Sequence, residues 1–199
     1  MSQVDNAISP ATAYVPLRLA GRPLALKALV LVLGVAFLTA SSWVQVPMWP
    51  VPMTMQTFAV LMVGALCGWR LGVATVVAWL ALSIELPLLS EFKTLPLVVT
   101  TAGYIAAFPI MAAFVDAMAE RGSTTRVVPT FLVLLAADIL CFALGVAWLS
   151  TCPNPQDPSA SIGLSNAIAW GLTPFALGDL IKIALATAVL TGARRMKQR

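Results

Sequence analysis

An acid and a base, Asp179 and Lys182, stand three residues apart in the apolar stretch Pro174-Phe175-Ala176-Leu177-Gly178-Asp179-Leu180-Ile181-Lys182. Three residues is just under one helical turn, so both side chains can face the same way. Charges in hydrocarbon are costly, and those that persist pair with each other, face a bundle interior or meet a substrate. The pair can therefore offer a carboxylate acceptor and an ammonium donor to a small polar molecule.

Other polar residues fall where such a molecule could use them. The run Gln45-Val46-Pro47-Met48-Trp49-Pro50-Val51-Pro52-Met53-Thr54-Met55-Gln56-Thr57 joins two apolar segments. Its prolines forbid regular helix and predict a stiff, extended loop. Thr54 suits a helix cap, but Gln56 would sit in apolar surroundings without a partner and reads as ligand-facing. In Thr100-Thr101-Ala102-Gly103-Tyr104, Gly103 permits close packing and Tyr104 offers a ring face and a hydroxyl. The candidate ligand-binding residues are Thr54, Gln56, Gly103, Tyr104, Asp179 and Lys182, with Asp138, Trp49 and Gly178 as possible supporting neighbours. Asp138 falls near the middle of its segment, with Lys182 or a polar group of the preceding segment as its candidate partner. Asp116 reads as an interfacial residue near the inner end of its segment.

What the chain lacks narrows its chemistry. It contains no histidine, which removes Ser-His-Asp catalysis and HExxH metal sites. No P-loop, GxGxxG or paired-cysteine pattern occurs, so neither cofactor nor metal is expected. An intramembrane aspartyl enzyme would need Asp138 and Asp179 at one depth and a few ångströms apart. Asp179 reads as near-surface and Asp138 as mid-bilayer, which argues against catalysis.

These residues must be positioned by membrane-embedded elements. The 199 residues are 60% hydrophobic and only 10% charged, where a soluble domain is nearer a quarter charged. Six apolar segments are legible: Leu24–Val46, Met53–Gly68, Leu71–Leu86, Leu97–Met118, Val127–Leu149 and Pro174–Ala193. A spanning helix needs about 20 residues, so the second and third either borrow flanking residues or stop short of a full crossing. The runs do not alternate, which excludes a barrel. The expectation is an all-α membrane protein with a tail at 1–22, a six-helix domain at 23–193 and a basic tail at 194–199.

If all six segments cross, Arg18, Arg22, Lys27, Arg70, Arg121, Arg126, Arg194, Arg195, Lys197 and Arg199 share one side, against Lys93 alone on the other. That asymmetry puts both termini in the cytoplasm. The net charge of +4 is thus a topology signal and not a nucleic-acid footprint. Gln56, Tyr104 and Asp179 then cluster toward the outer face, with Lys182 one turn deeper. Trp43, Trp49, Trp79, Trp148 and Trp170 read mainly as an interfacial aromatic belt, with one or two of them available to wall a pocket. The outer stretch Pro87–Pro96, with Glu91 and Lys93, reads as a loop or lid, and Thr151–Ser165 as coil. Cys67 and Cys141 read as apolar packers, and with Cys152 they imply no disulfide.

With Val51-Pro52-Met53-Thr54-Met55-Gln56-Thr57, then Thr101-Ala102-Gly103-Tyr104, then Pro174 through Lys182, the chain resembles the BioY family, the biotin-specific S components of energy-coupling factor (ECF) transporters. The resemblance covers about residues 24 to 193. The middle motif departs from the family's usual Gly-Pro-Thr-Gly-Gly-Tyr. The resemblance implies a six-transmembrane-helix S-component bundle in the cell (inner) membrane, with an outward-facing site for biotin. It also implies a transmembrane coupling protein and ATPase subunits as partners, met through an Ala-xxx-Ala face of the first helix. Ala36 and Ala40 have that spacing but lie toward the outer half. Biotin's ureido ring has two N–H donors and one carbonyl acceptor, which Asp179 and Gln56 can complement. Lys182 would meet the carboxylate or neutralise Asp179. An S component for a different vitamin is the alternative.

Overall fold

Helix α1 (Leu24–Trp43) starts directly after Pro23, whose carbonyl accepts from the amides of Leu26 and Lys27. The computed structural model describes residues 21–85, 95–123 and 126–197. The N-terminal tail up to residue 20 and residues 87–94 of the expected outer lid lie outside these, while Leu95 and Pro96 of that stretch are already helical.

Segment one gives up its helix at Trp43, three residues earlier than its apolar run suggests. Val44 is extended, and Gln45–Val46 (β1) pair antiparallel with Met53–Thr54 (β2), with Gln45 opposite Thr54 and Val46 opposite Met53. The proline-rich loop is therefore a β-hairpin. Helix α2 (Gln56–Cys67) follows at once, turns at Gly68 with φ 82°, and leads into α3 (Trp69–Glu85). Nine of the twelve residues of α2 are buried, so it is a core helix sheathed by the others. At 1.5 Å per residue it spans about 18 Å, well short of a bilayer's hydrocarbon core.

Helices α4 (Leu95–Glu120) and α5 (Val127–Thr151) form the most extensive helix pair. Pro109 inside α4 has no N–H for the carbonyl of Ile105, one turn earlier. After α5 the chain is not simple coil. Pro153 and Ser161 form an antiparallel bridge, Ile162 donates to the Cys152 carbonyl, and a nine-residue helix α6 (Gly163–Gly171) follows. That helix is too short to register as a membrane segment in sequence. Helix α7 (Ala176–Lys197) closes the bundle and runs on through most of the basic C-terminal residues.

Among the described residues four helices are long and apolar enough to cross a membrane: α1, α4 from Thr100, α5 and α7. With the shorter α2 and α3 they account for the six apolar segments of the sequence. Helix α4 lies at the centre, packed on α2, α3 and α5, while α1 covers α2 and α3, and α7 covers α2 and α5. The core is apolar and close, with Leu38, Leu61, Trp79, Met111, Leu134 and Ile183 essentially excluded from solvent. Trp79 thus belongs to the core and not to an aromatic belt, whereas Trp43, Trp49 and Trp148 are exposed. Asp116 is likewise wholly buried, where an interfacial acid was expected.

Candidate functional site

The C-terminal end of α1, the β-hairpin, the N-terminal ends of α2, α4 and α7, and the C-terminal half of α5 all meet at one end of the bundle. They enclose a cleft of about 720 Å³, counting the solvent at its open mouth. Ligand sites combine apolar walls with a few placed polar groups. Here Phe108, Phe142 and Phe175 supply apolar walls, and Gln56, Asp179 and Lys182 supply polar groups.

Asp179 lies in the first turn of α7, where an acid also complements the positive end of the helix dipole. Its Oδ1 accepts from Lys182 Nζ at 2.6 Å and from Thr57 Oγ1 at 3.1 Å. Lys182 also donates to Thr57 Oγ1 at 3.3 Å, so α2 and α7 are joined by a closed ring of three polar side chains. Asp179 and Lys182 are both buried, at 2% and 7% exposure, so solvent screens this pair weakly. The ring engages only Oδ1, and among the described residues Oδ2 has no hydrogen bond.

Gln56 is held one helix away. Its Oε1 accepts from Thr54 Oγ1 at 3.1 Å, and its backbone amide donates to the same hydroxyl at 3.3 Å. Thr54 is not the expected helix cap, since Met55 holds that position without a side-chain cap bond, but its hydroxyl fixes the Gln56 amide and leaves Nε2 as a donor beside the cleft. The structure brings Thr54, Gln56, Tyr104, Asp179 and Lys182 to one cavity.

Gly103 is placed elsewhere. A Cβ there would stand 2.2 Å from the Trp148 Cβ and 3.1 Å from the Leu144 carbonyl oxygen, so this glycine lets α4 close on α5. Tyr104 lines the cleft with its ring, but its hydroxyl is spent on the Gly171 carbonyl at 2.9 Å. The ring lies so close to Gly145 that a Cβ there would be 2.1 Å from it. Tyr104 thus fastens α6 to the α4–α5 pair as well as walling the cleft. Gly178 faces Met53 of the hairpin, with 2.8 Å between a hypothetical Cβ and Sδ. Trp49 is exposed at the hairpin turn, outside the cleft lining. Asp138 is buried on α5 one turn before Cys141, which does line the cleft.

Sequence reasoning missed Ser42, Gln45, Phe142 and Phe175 as cleft residues. Thr57 and Thr101 stood inside quoted motifs without an assigned role. Adjacency in the motifs was the available signal, since Thr57 follows Gln56 and Phe175 precedes Asp179 by one turn. Among the described residues no group of three His, Cys, Asp or Glu side chains could hold a metal ion.

A family model described as the BioY family matches residues 13–199. The chain is 27% identical over 169 residues to the biotin transporter BioY of Thermotoga maritima, covering 81% of this chain and 92% of that one. It is 32% identical over 152 residues to the biotin transporter BioY of Rhodobacter capsulatus, covering 70% and 76%. The crystal structure of an S-component for biotin from an ECF-type ABC transporter superposes with a TM-score of 0.73 at 24% identity, over 86% of this chain and 92% of that one. That likeness establishes the shared S-component fold.

Proposed function

The chain belongs to the BioY family, and from that membership and the cleft we propose that it is the biotin-binding S component of an ECF-type uptake transporter. It is a multi-pass membrane protein whose work is capture and uptake, not catalysis. The observation that carries the reading is the half-used carboxylate of Asp179. Oδ1 is held by Lys182 and Thr57, and Oδ2, without a hydrogen bond among the described residues, is the atom a ureido N–H would meet. Gln56 Nε2, braced by Thr54, supplies the donor that a ureido carbonyl needs. Phe108, Phe142 and Phe175 provide apolar surface for the thiophane ring and alkyl chain.

The cleft faces the outside of the cell membrane, and the tails at 1–22 and 194–199 face the cytoplasm. The basic residues then lie along the inner lipid surface and need no nucleic acid to explain them. Helix α1 shows Leu29, Val32, Leu33 and Phe37 on its outer side, among small residues such as Ala36 and Ala40. That side is available to lipid and to a transmembrane coupling protein, which with its ATPase subunits completes the transporter. Competition of labelled biotin against unlabelled biotin, riboflavin and thiamine on the purified chain tests the assignment. Displacement by biotin alone supports it, and displacement by another vitamin redirects it.

A further inference from the structure

Asp138 is a buried acid that the cleft does not use directly. It is 4% exposed, and its Oδ1 has no hydrogen-bond partner among the described residues. Such an oxygen is costly to leave unmet, so a nearby donor is expected to serve it in some state of the protein. Helices α5 and α7 are in contact, and Asp138 lies on α5 one turn before Cys141, which lines the same cleft as Asp179 and Lys182. Lys182 has three N–H donors and uses two, one on Asp179 and one on Thr57. A spare ammonium donor on α7 and a spare carboxylate acceptor on α5 thus lie buried on two helices that pack together.

We propose that Asp138 is a positioning residue, a second counter-ion that takes Lys182 when ligand donors engage Asp179. In the free protein, Lys182 sits on the carboxylate that a ligand's N–H groups also require. The ammonium keeps Asp179 ionised through Oδ1 at 2.6 Å, and ligand donors arriving at the other oxygen draw on the same charge and loosen that hold. A second anion one helix away lets Lys182 withdraw without becoming a lone buried cation, a state that is strongly disfavoured. The ligand part of this inference rests on the biotin assignment; the counter-ion part does not.

The test is thermal unfolding of the purified, ligand-free chain in detergent across a set of variants. Either acid alone can hold Lys182, so Asp138→Asn and Asp179→Asn each lower Tm modestly. Together they strand the ammonium, and Tm falls about 5 °C or more beyond the sum of the single changes. Adding Lys182→Met to the double variant restores stability, including where the double variant itself is too unstable to purify. Additive shifts, or a double variant that Lys182→Met fails to rescue, overturn the proposal. In biotin calorimetry, Asp138→Asn weakens binding about tenfold, and Asp138→Glu, which keeps the charge, recovers most of that loss. An unchanged Kd in Asp138→Asn contradicts the ligand-linked step. Absence of biotin binding in the unmutated chain strikes instead at the ligand assignment, and the unfolding cycle then decides the counter-ion role.

Discussion

Thr57 on α2 donates its hydroxyl hydrogen to Asp179 on α7 and accepts a hydrogen bond from Lys182, one turn further along α7. One hydroxyl therefore sets both the direction of the acid and the distance between two helices at the base of the cleft. The Asp179–Lys182 pair alone would tie α7 only to itself. With Thr57 included, the site is also a cross-link within the bundle.

Replacing Thr57 with Val keeps the shape and removes both bonds. Affinity for biotin is expected to fall about ten- to a hundredfold, the equivalent of roughly 1.5–3 kcal/mol for hydrogen bonds to charged groups. Tm is expected to fall as well, because the link between α2 and α7 is lost. Calorimetry and a melt on the same preparation check both effects; retained affinity would remove Thr57 from the site.

Asp179→Asn exchanges an anionic acceptor for an amide of the same shape. The expected loss is again about ten- to a hundredfold in affinity. Lys182→Met weakens binding too, and the double variant loses less than the sum of the two. If both changes lower Tm while the folded fraction binds as before, the pair is only a helix clamp.

Tyr104→Phe separates packing from binding. The ring that walls the cleft stays, and the bond to the Gly171 carbonyl goes. Stability should drop by about 1 kcal/mol, with little change in the Kd of the folded protein. Gly103→Ala is expected to cost more, about 1–3 kcal/mol or above, because its Cβ meets Trp148 at 2.2 Å. Melting curves rank the two variants.

Reporter fusions at residue 199 and at Asp157 should lie in opposite compartments. Asp157 sits in the loop between α5 and α6, at the cleft end of the bundle. The same compartment for both would overturn the assigned orientation.

Much of the bundle is legible in sequence because apolar runs of twenty residues have few other uses. The Asp179–Lys182 pair is legible because its spacing is internal to one helix. Thr57 is not, since its role depends on a neighbour 122 residues away. The hairpin is also hidden, because two-residue strands carry no alternation and the prolines dominate the pattern. Helix α6 is hidden because it starts inside the polar stretch 151–165 and its nine residues are far too few for a spanning run. Tyr104 shows the limit of reading by residue type. Its ring faces the cleft as its chemistry suggests, but its hydroxyl bonds the backbone of α6.

Titrating biotin into the purified chain alone, in detergent and without any partner subunit, is the most direct test. The Asp179, Gln56 and Lys182 arrangement predicts saturable, tight binding at about one biotin per chain, lost or strongly weakened in Asp179→Asn. No heat with biotin, alongside a clear signal with riboflavin or thiamine, would contradict the assignment.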